Sequence, residues 1–248
     1  MASRTGICHS EVKHQFTMPS NHKVLVEITN HKRVSQRQFF PAAGHDVFLP
    51  LYDPLVSLMG FDRARRELIS GANIEPGHNI LDLGCGTGTL VVNLKRQYVS
   101  AHVVGLDPDP KGLRRARLKA VRASVSVQLD QGFADQLPYE KESFDHIFSS
   151  FMFHHLNEQE RENMLREVRR VLKPAGLFHL VDFIVDDDAA HGFLDRLFRS
   201  HAQMKDNSDE RILGLMSHTG LTNPVKVKEG NMLFGLLRTA YYQASAQC

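Results

Sequence analysis

The feature that most constrains this chain is a short apolar run that breaks into three alternating glycines. Residues 79–90 read NILDLGCGTGTL, and a helical pattern begins directly after Gly88. Glycine has no Cβ, so it fits where a backbone turns sharply or approaches a ligand closely. A strand, a glycine loop and a helix N-terminus in this order form the cradle in which α/β proteins hold nucleotides. The alternative at this point is a tight strand-to-helix turn that binds no ligand.

Beyond the glycine loop, the chain alternates between strand-like and helix-like segments. We expect strands at 80–83, 102–106, 125–129, 144–148 and 177–184, with helices at 89–98, 111–122 and 158–172. Strands separated by helices predict a parallel sheet with right-handed crossovers. Near the C-terminus, residues 225–228 and 232–241 flank a predicted turn at Glu229-Gly230 and indicate an antiparallel hairpin. The predicted fold class is therefore α/β, a doubly wound and mostly parallel seven-stranded sheet that ends in this hairpin.

Composition places the chain among ordinary globular proteins. It has 248 residues, 42% of them hydrophobic and 23% charged, with a net charge of +2. The near-neutral charge predicts no nucleic-acid partner, and the basic run at 114–119 reads as a solvated helix face. No apolar run reaches the length of a membrane span. The three cysteines suggest neither a disulfide framework nor a metal cluster, and we expect a cytoplasmic location.

Two regions of the chain differ in character. Residues 1–45 are largely polar and predict an N-terminal arm or substrate lid, with a partly ordered tail as the alternative. A short strand is predicted at 24–28 within them. Residues 46–248 contain the alternating pattern and predict one domain.

The glycine spacing and a downstream aspartate limit which class of ligand the loop is expected to bind. Thr89 stands where the dinucleotide fingerprint GxGxxG would have its last glycine, so that fingerprint is not met. Asp107 ends the second predicted strand, where an acidic side chain can accept hydrogen bonds from both ribose hydroxyls. This contact is common to nicotinamide and S-adenosylmethionine sites, so it predicts adenosine without selecting the cofactor. A surface aspartate in a turn before Pro108 is the alternative.

Four ordered stretches carry a resemblance to a known family. Residues 81–88 (LDLGCGTG) resemble motif I of the class I S-adenosylmethionine-dependent methyltransferases, and residues 104–107 (VGLD) resemble the acidic motif that follows it. Residues 143–156 and 166–177 resemble the later motifs. The chain is most similar to the small-molecule methyltransferases typified by the ubiquinone and menaquinone biosynthesis enzymes. The resemblance implies a Rossmann-like fold and S-adenosyl-L-methionine as the cofactor.

The resemblance also implies positions for the cofactor. Asp82 would help to hold the loop and the cofactor's ammonium group, and Asp107 would bind the ribose. The stretch Gly132-Phe133-Ala134-Asp135 departs from the Gly-Asp-Ala-Glu common in related sequences, which leaves open whether Asp135 meets the adenine amino group. The implied cofactor-binding residues are Tyr52, Asp82, Gly84, Cys85, Gly86, Asp107, Pro108, Phe133, Ala134 and Ser149.

The segment after the fourth predicted strand is the candidate catalytic segment. It contains His154 and His155, and either side chain is a candidate general base near neutral pH. The alternative is that both histidines only pack against the following helix. The Asn/Asp-Pro-Pro-Tyr tetrapeptide typical of base-methylating enzymes is absent here. The aspartates at 186–188 read as a solvated turn, so no metal is predicted.

The predicted function is transfer of a methyl group from S-adenosylmethionine to an O, C or N nucleophile of a small, apolar or aromatic molecule. One alternative is a protein of the same fold that binds this cofactor without methyl transfer, as a cyclase, a regulator or a pseudoenzyme. A nicotinamide-dependent oxidoreductase is disfavoured by the missing GxGxxG pattern and by the C-terminal hairpin. The oligomeric state stays open.

Overall fold

The computed structural model describes residues 11–17, 23–30, 60–184, 207–233 and 237–246, with only the backbone described in the first two ranges. Predictions about Tyr52 and the aspartates at 186–188 therefore lie outside the described residues.

Strands and helices alternate through the central part of the described chain. The strands are β1 (Glu11–Thr17), β2 (Lys23–Asn30), β3 (Asn79–Leu83), β4 (His102–Asp107), β5 (Val127–Gln131), β6 (Phe144–Ser150), β7 (Leu172–Phe183), β8 (Thr222–Met232) and β9 (Leu237–Ser245). The helices are α1 (Phe61–Ser70), α2 (Thr89–Gln97), α3 (Pro110–Arg122), α4 (Glu158–Val171) and α5 (Asp209–His218), and a short 3-10 turn spans Phe153–His155.

The predicted seven-stranded sheet is confirmed. Its strand order is β5-β4-β3-β6-β7-β9-β8. The first five of these strands are parallel, and β9 pairs antiparallel with both β7 and β8. The chain adds strands outward from β3 to β5 on one side and then returns to place β6 on the other side of β3, so β3 and β6 flank a topological switch point. Because these strands are parallel, the carboxyl ends of β3, β4, β5 and β6 lie at the same edge of the sheet. Ligands bind at this kind of switch point in open α/β sheets.

Two N-terminal strands extend this sheet beyond the predicted seven. Strand β2 pairs in parallel with β5, and β1 pairs antiparallel with β2. The strand predicted at 24–28 lies within β2. Because β5 would otherwise expose unpaired backbone groups, this addition covers an edge of the seven-stranded sheet.

The C-terminal hairpin forms, but its turn lies further along the chain than predicted. Strand β8 continues through Gly230, which pairs with Thr239 of β9. A Cβ at residue 230 would lie 2.9 Å from Thr239 Oγ1. Gly230 therefore allows close approach between paired strands, and the predicted turn at 229–230 is wrong.

Helices cover both faces of the sheet. Buried residues of α1, α2 and α3 form one hydrophobic cluster, and buried residues of α4 and α5 form a second. Helix α4 begins with a capping box in which the Asn157 and Glu160 side chains each accept from the other's backbone N–H, at 3.0 Å. This doubly wound arrangement leaves the carboxyl edge of the parallel strands open for a site.

Candidate functional site

The glycine loop turns the chain sharply between β3 and α2. Gly84, Gly86 and Gly88 all have positive φ angles, of 71°, 52° and 76°. The backbone N–H groups of Gly84 and Cys85 donate to the Leu106 carbonyl oxygen at 2.8 and 3.0 Å. These bonds tie the loop to the end of β4. The positive φ angles place the three glycines in left-handed backbone conformations that other residues rarely adopt.

Gly88 also sits where two helices approach closely. A Cβ at residue 88 would lie 2.6 Å from Ala116 Cβ and 2.9 Å from Ala116 Cα on α3. We expect Gly88→Ala to lower the free energy of unfolding by about 2–5 kcal/mol, because it adds backbone strain to overpacking. Urea unfolding monitored by circular dichroism measures this loss.

Gly77→Ala is the matched control for that substitution. Gly77 has a φ of 84°, and an added Cβ there would meet no atom within 4 Å. It isolates the cost of the left-handed backbone, about 1–2 kcal/mol. Equal losses for the two variants would contradict the packing role assigned to Gly88.

Asp107 is held rigidly beside the loop by two backbone donors. Its Oδ2 accepts from the Gly86 N–H and its Oδ1 from the Asp109 N–H, each at 2.8 Å. Burial raises the pKa of Asp107 to about 6, although both hydrogen bonds act to lower it. A carboxylate has about four acceptor positions, so the fixed group can accept two further donors.

Asp82 is buried in β3 without a hydrogen-bond partner in the part of the chain that the structure describes. Its side chain is 1% exposed, and neither carboxylate oxygen has a partner among the described residues. Burial raises the pKa of Asp82 to about 8, although the positive charge of the Arg65 guanidinium acts to lower this pKa. A buried polar group without a partner is costly, and native proteins retain such groups mainly at functional sites. The Asp82 carboxyl group therefore has room for a hydrogen-bond donor that the described residues do not supply.

A cavity of about 510 Å³ opens at this edge of the sheet. Nine of the predicted site residues line it: Gly84, Cys85, Gly86, Asp107, Pro108, Phe133, Ala134, His154 and His155. Asp135, whose contact with the adenine amino group the sequence left undecided, also lines the cavity. The fold thus brings together predicted residues from four separate loops and strand ends.

Asp82 and Ser149 are predicted site residues that do not line this cavity. Ser149 is fully buried, and its hydroxyl has no partner among the described residues. The next residue, Ser150, lines the cavity, and its Oγ lies 3.5 Å from Arg65 Nε. Arg65 lies on α1 and also lines the cavity, where sequence patterns did not point to it. Successive residues of a strand point to opposite faces of the sheet, which explains why Ser150 lines the cavity while Ser149 is buried.

His154 is paired with a carboxylate from a distant strand. His154 Nδ1 lies 2.6 Å from Asp182 Oδ1, and the His154 backbone N–H donates to Asp182 Oδ2 at 3.0 Å. Burial alone would raise the pKa of Asp182, but the His154 ring and the bonds it receives hold that pKa below its ordinary value. His155 is exposed, with its ring centroid 4.0 Å from that of His154.

Three phenylalanines form an aromatic wall beside this histidine. The ring centroids of Phe61, Phe151 and Phe183 lie between 4.6 and 5.9 Å apart, and Phe183 is 5.2 Å from the His154 ring. All three rings line the cavity. The sequence offers six further apolar residues either for the lining of such a pocket or for the core, and all six lie outside the described residues: Phe39, Phe40, Phe48, Phe193, Phe198 and Met204.

Two kinds of structural feature are missing from the described residues. Among these residues, no group of three or more His, Cys, Asp or Glu side chains is arranged to hold a metal ion. None of the described helices has the length and apolar character needed to cross a bilayer.

Comparison with known proteins agrees with this geometry. A family model described as a methyltransferase domain matches residues 80–176. An uncharacterized methyltransferase of a Synechocystis species is 37% identical over 123 residues, covering 50% of this chain and 55% of that protein. A demethylmenaquinone methyltransferase of Thermus thermophilus is 34% identical over 152 residues, covering 60% of this chain and 68% of that protein. The chain belongs to the class I S-adenosylmethionine-dependent methyltransferase family.

The methyltransferase fold is also found in solved structures. The cyclase SpnF superimposes with a TM-score of 0.62 over 75% of this chain and 81% of that one, at 16% identity. At this identity the likeness concerns the fold alone. The chain spans about half to two thirds of the curated methyltransferases it matches.

Proposed function

We propose that this methyltransferase-family protein transfers a methyl group from S-adenosylmethionine to a nucleophile of a small apolar or aromatic molecule. The observation that carries the proposal is the Asp82 carboxyl group, which is buried in β3 next to the glycine loop with no partner among the described residues. Asp107 binds the backbone of the same loop. When bound, this cofactor supplies a methyl group activated by attachment to a positively charged sulfur. Its ammonium group has the charge and the donors that Asp82 lacks in the described chain.

Each part of the cavity wall has a role in this proposal. Asp107 accepts from the ribose hydroxyls with the positions its two backbone donors leave available. The backbone around Gly84 and Gly86 borders the methionine moiety. Arg65 is the candidate partner for the methionine carboxylate. Phe133 and Ala134 border the adenine, where Phe133 packs on the ring.

The acceptor class follows from the aromatic wall. The rings of Phe61, Phe151 and Phe183 offer an apolar surface beside His154. Aromatic rings pair favourably with other aromatic rings at such distances. Relatives named demethylmenaquinone methyltransferase support an aromatic acceptor of this kind. Alignment of the acceptor and exclusion of water are the protein's main contributions to such a reaction.

A second candidate is a cofactor-binding protein of the same fold that does not transfer the methyl group. A structural neighbour that is a cyclase shows that this fold carries more than one chemistry. Both candidates require the same cofactor cradle, so only turnover separates them. A lid formed by residues 1–45 and a cytoplasmic location remain predictions of the sequence.

Isothermal titration with S-adenosylmethionine, S-adenosylhomocysteine and NADH tests the proposal. We expect binding of the two sulfur cofactors in the micromolar range, about −8 kcal/mol, and no binding of NADH. Methyl transfer to naphthol-type acceptors, followed as S-adenosylhomocysteine release, then tests the reaction. Binding of NADH alone would contradict the proposed cofactor, and cofactor binding without any transfer would favour the second candidate.

A further inference from the structure

We propose that Asp182 is a positioning residue that holds His154 as the base for an acceptor carrying a weakly acidic hydroxyl group. The inference rests on the proposed function and deepens it. Sequence patterns offered two adjacent histidines as candidates, and the structure distinguishes them. His154 is paired with a buried carboxylate, and His155 is exposed beside it.

The contact between the two side chains determines which ring nitrogen carries the proton. Asp182 is fully buried, and its pKa lies below the ordinary value, so its carboxylate stays ionised and can only accept hydrogen bonds. His154 Nδ1, 2.6 Å from Asp182 Oδ1, is therefore the protonated nitrogen. In the neutral ring, Nε2 then carries the lone pair, and the ring lines the cavity.

The carboxylate is itself fixed in orientation by the backbone. Asp182 Oδ2 accepts from the His154 N–H at 3.0 Å, and Oδ1 accepts from the Phe183 N–H at 2.7 Å. These donors come from β7 and from the 3-10 turn, two segments that are distant in sequence. A carboxylate held at both oxygens keeps the imidazole in one rotational position as well as in one tautomer. This is the role that the buried aspartate plays in serine hydrolase triads.

An ordered base is useful to only some acceptors. A neutral amine already has a lone pair and attacks before it loses a proton, whereas a hydroxyl becomes a good nucleophile when its proton is removed. Burying a charged carboxylate against a histidine carries a desolvation cost. The dyad and the adjacent Phe183 ring, 5.2 Å from His154, together favour an aromatic hydroxyl over an amine.

A hydroxyl acceptor first loses its proton to the histidine. The proton moves from the acceptor oxygen to His154 Nε2, and that oxygen keeps the electron pair. The oxygen then forms a bond to the methyl carbon while the carbon–sulfur bond breaks and its electron pair stays on sulfur. The resulting imidazolium faces the Asp182 carboxylate, which stabilises its charge, and later releases the proton to water.

A spectroscopic experiment tests the dyad without any turnover. Full-length protein labelled with nitrogen-15 at histidine is examined at pH 8, and the His154 signals are assigned by their loss in His154→Gln. We expect a protonated Nδ1 and an unprotonated Nε2 in the wild type. In Asp182→Ala we expect a shift toward the form protonated at Nε2. A wild-type ring protonated at Nε2 would overturn the proposal, whether or not the variant folds.

A kinetic experiment separates a base from a purely structural pair. The probes are 1-naphthol and 1-naphthylamine, offered with S-adenosylmethionine. We expect transfer to the naphthol, with kcat reduced on the order of 10²–10⁴-fold in both Asp182→Asn and His154→Gln, and the KM for the cofactor unchanged. His78→Gln, at the opposite edge of the sheet, is the control and keeps the wild-type kcat.

The remaining outcomes count against the base. Preferred transfer to the amine, transfer to neither probe despite cofactor binding, or an unchanged kcat in both dyad variants would each overturn it. Failure of the wild type to bind S-adenosylmethionine would instead contradict the proposed function, and the nitrogen-15 spectrum would still report on the dyad.

Discussion

Asp107→Asn is expected to weaken S-adenosylmethionine binding on the order of 100-fold or more. Each carboxylate oxygen of Asp107 accepts a backbone N–H, from Gly86 on one side and Asp109 on the other. An amide can accept on only one side, so its NH₂ group opposes the other N–H and displaces the loop. The variant also loses its charged contacts to ribose, each about 1.5–3 kcal/mol. Isothermal titration measures the change in Kd.

Asp145→Asn provides a matched control for this substitution. Asp145 Oδ2 also accepts a backbone N–H, from Asn79 at 2.8 Å, and it binds Lys173 Nζ at 2.8 Å. It lies at the start of β6, away from the cavity, so the variant should keep the wild-type Kd. An unchanged Kd in Asp107→Asn, or equal weakening in both variants, would contradict the role assigned to Asp107.

Asp82→Asn is expected to act in opposite directions on stability and on binding. The pKa of Asp82 is raised from 3.8 to about 8 in the folded protein. The unfolded chain therefore binds fewer protons at this group, and the stability of the cofactor-free protein falls as pH rises from about 4 to about 8. Asparagine fills the same volume without this charge. At pH 8 we expect the variant to be more stable by at least about 1 kcal/mol, or roughly 2–4 °C in Tm.

The same variant loses the partner proposed for the cofactor's ammonium group. We expect its Kd for S-adenosylmethionine to rise about tenfold or more, because a hydrogen bond to a charged group is worth about 1.5–3 kcal/mol. The Tm advantage should shrink as pH falls toward 4 and disappear below about pH 3, where the carboxyl, whose pKa in the unfolded chain is 3.8, is protonated in both states. A lower Tm than the wild type at pH 8, or an advantage that does not vary with pH, would show that Asp82 has a structural partner.

Local patterns in the sequence predicted much of the proposed cofactor site. Residues 84–88 form a turn whose geometry depends on neighbours a few positions away, and glycine is required there by φ angles that other residues rarely adopt. Asp107 ends a short apolar strand, and its position at the strand end follows from the length of that strand. The capping of α4 by Asn157 is likewise local. Such features can be read from a single stretch of chain.

Contacts across long sequence separations could not be predicted in this way. Asp182 pairs with His154 because β6 and β7 are parallel neighbours, and their register brings a strand end to the 3-10 turn. Arg65 reaches the cavity because α1 packs against the sheet beside Ser150. None of these pairings leaves a periodic signal in the residues themselves.

The sequence by itself determined the doubly wound seven-stranded sheet, the glycine loop and the identity of the acidic residue after β4. These depend on hydrophobic periodicity and on backbone conformations that act over a few residues. Tertiary structure alone decided which histidine is held by a carboxylate, that Ser150 lines the cavity while Ser149 is buried, and that Gly230 lies inside a strand. These depend on strand register and on which side chains packing brings together, because a shift of one residue moves a side chain to the opposite face of a sheet.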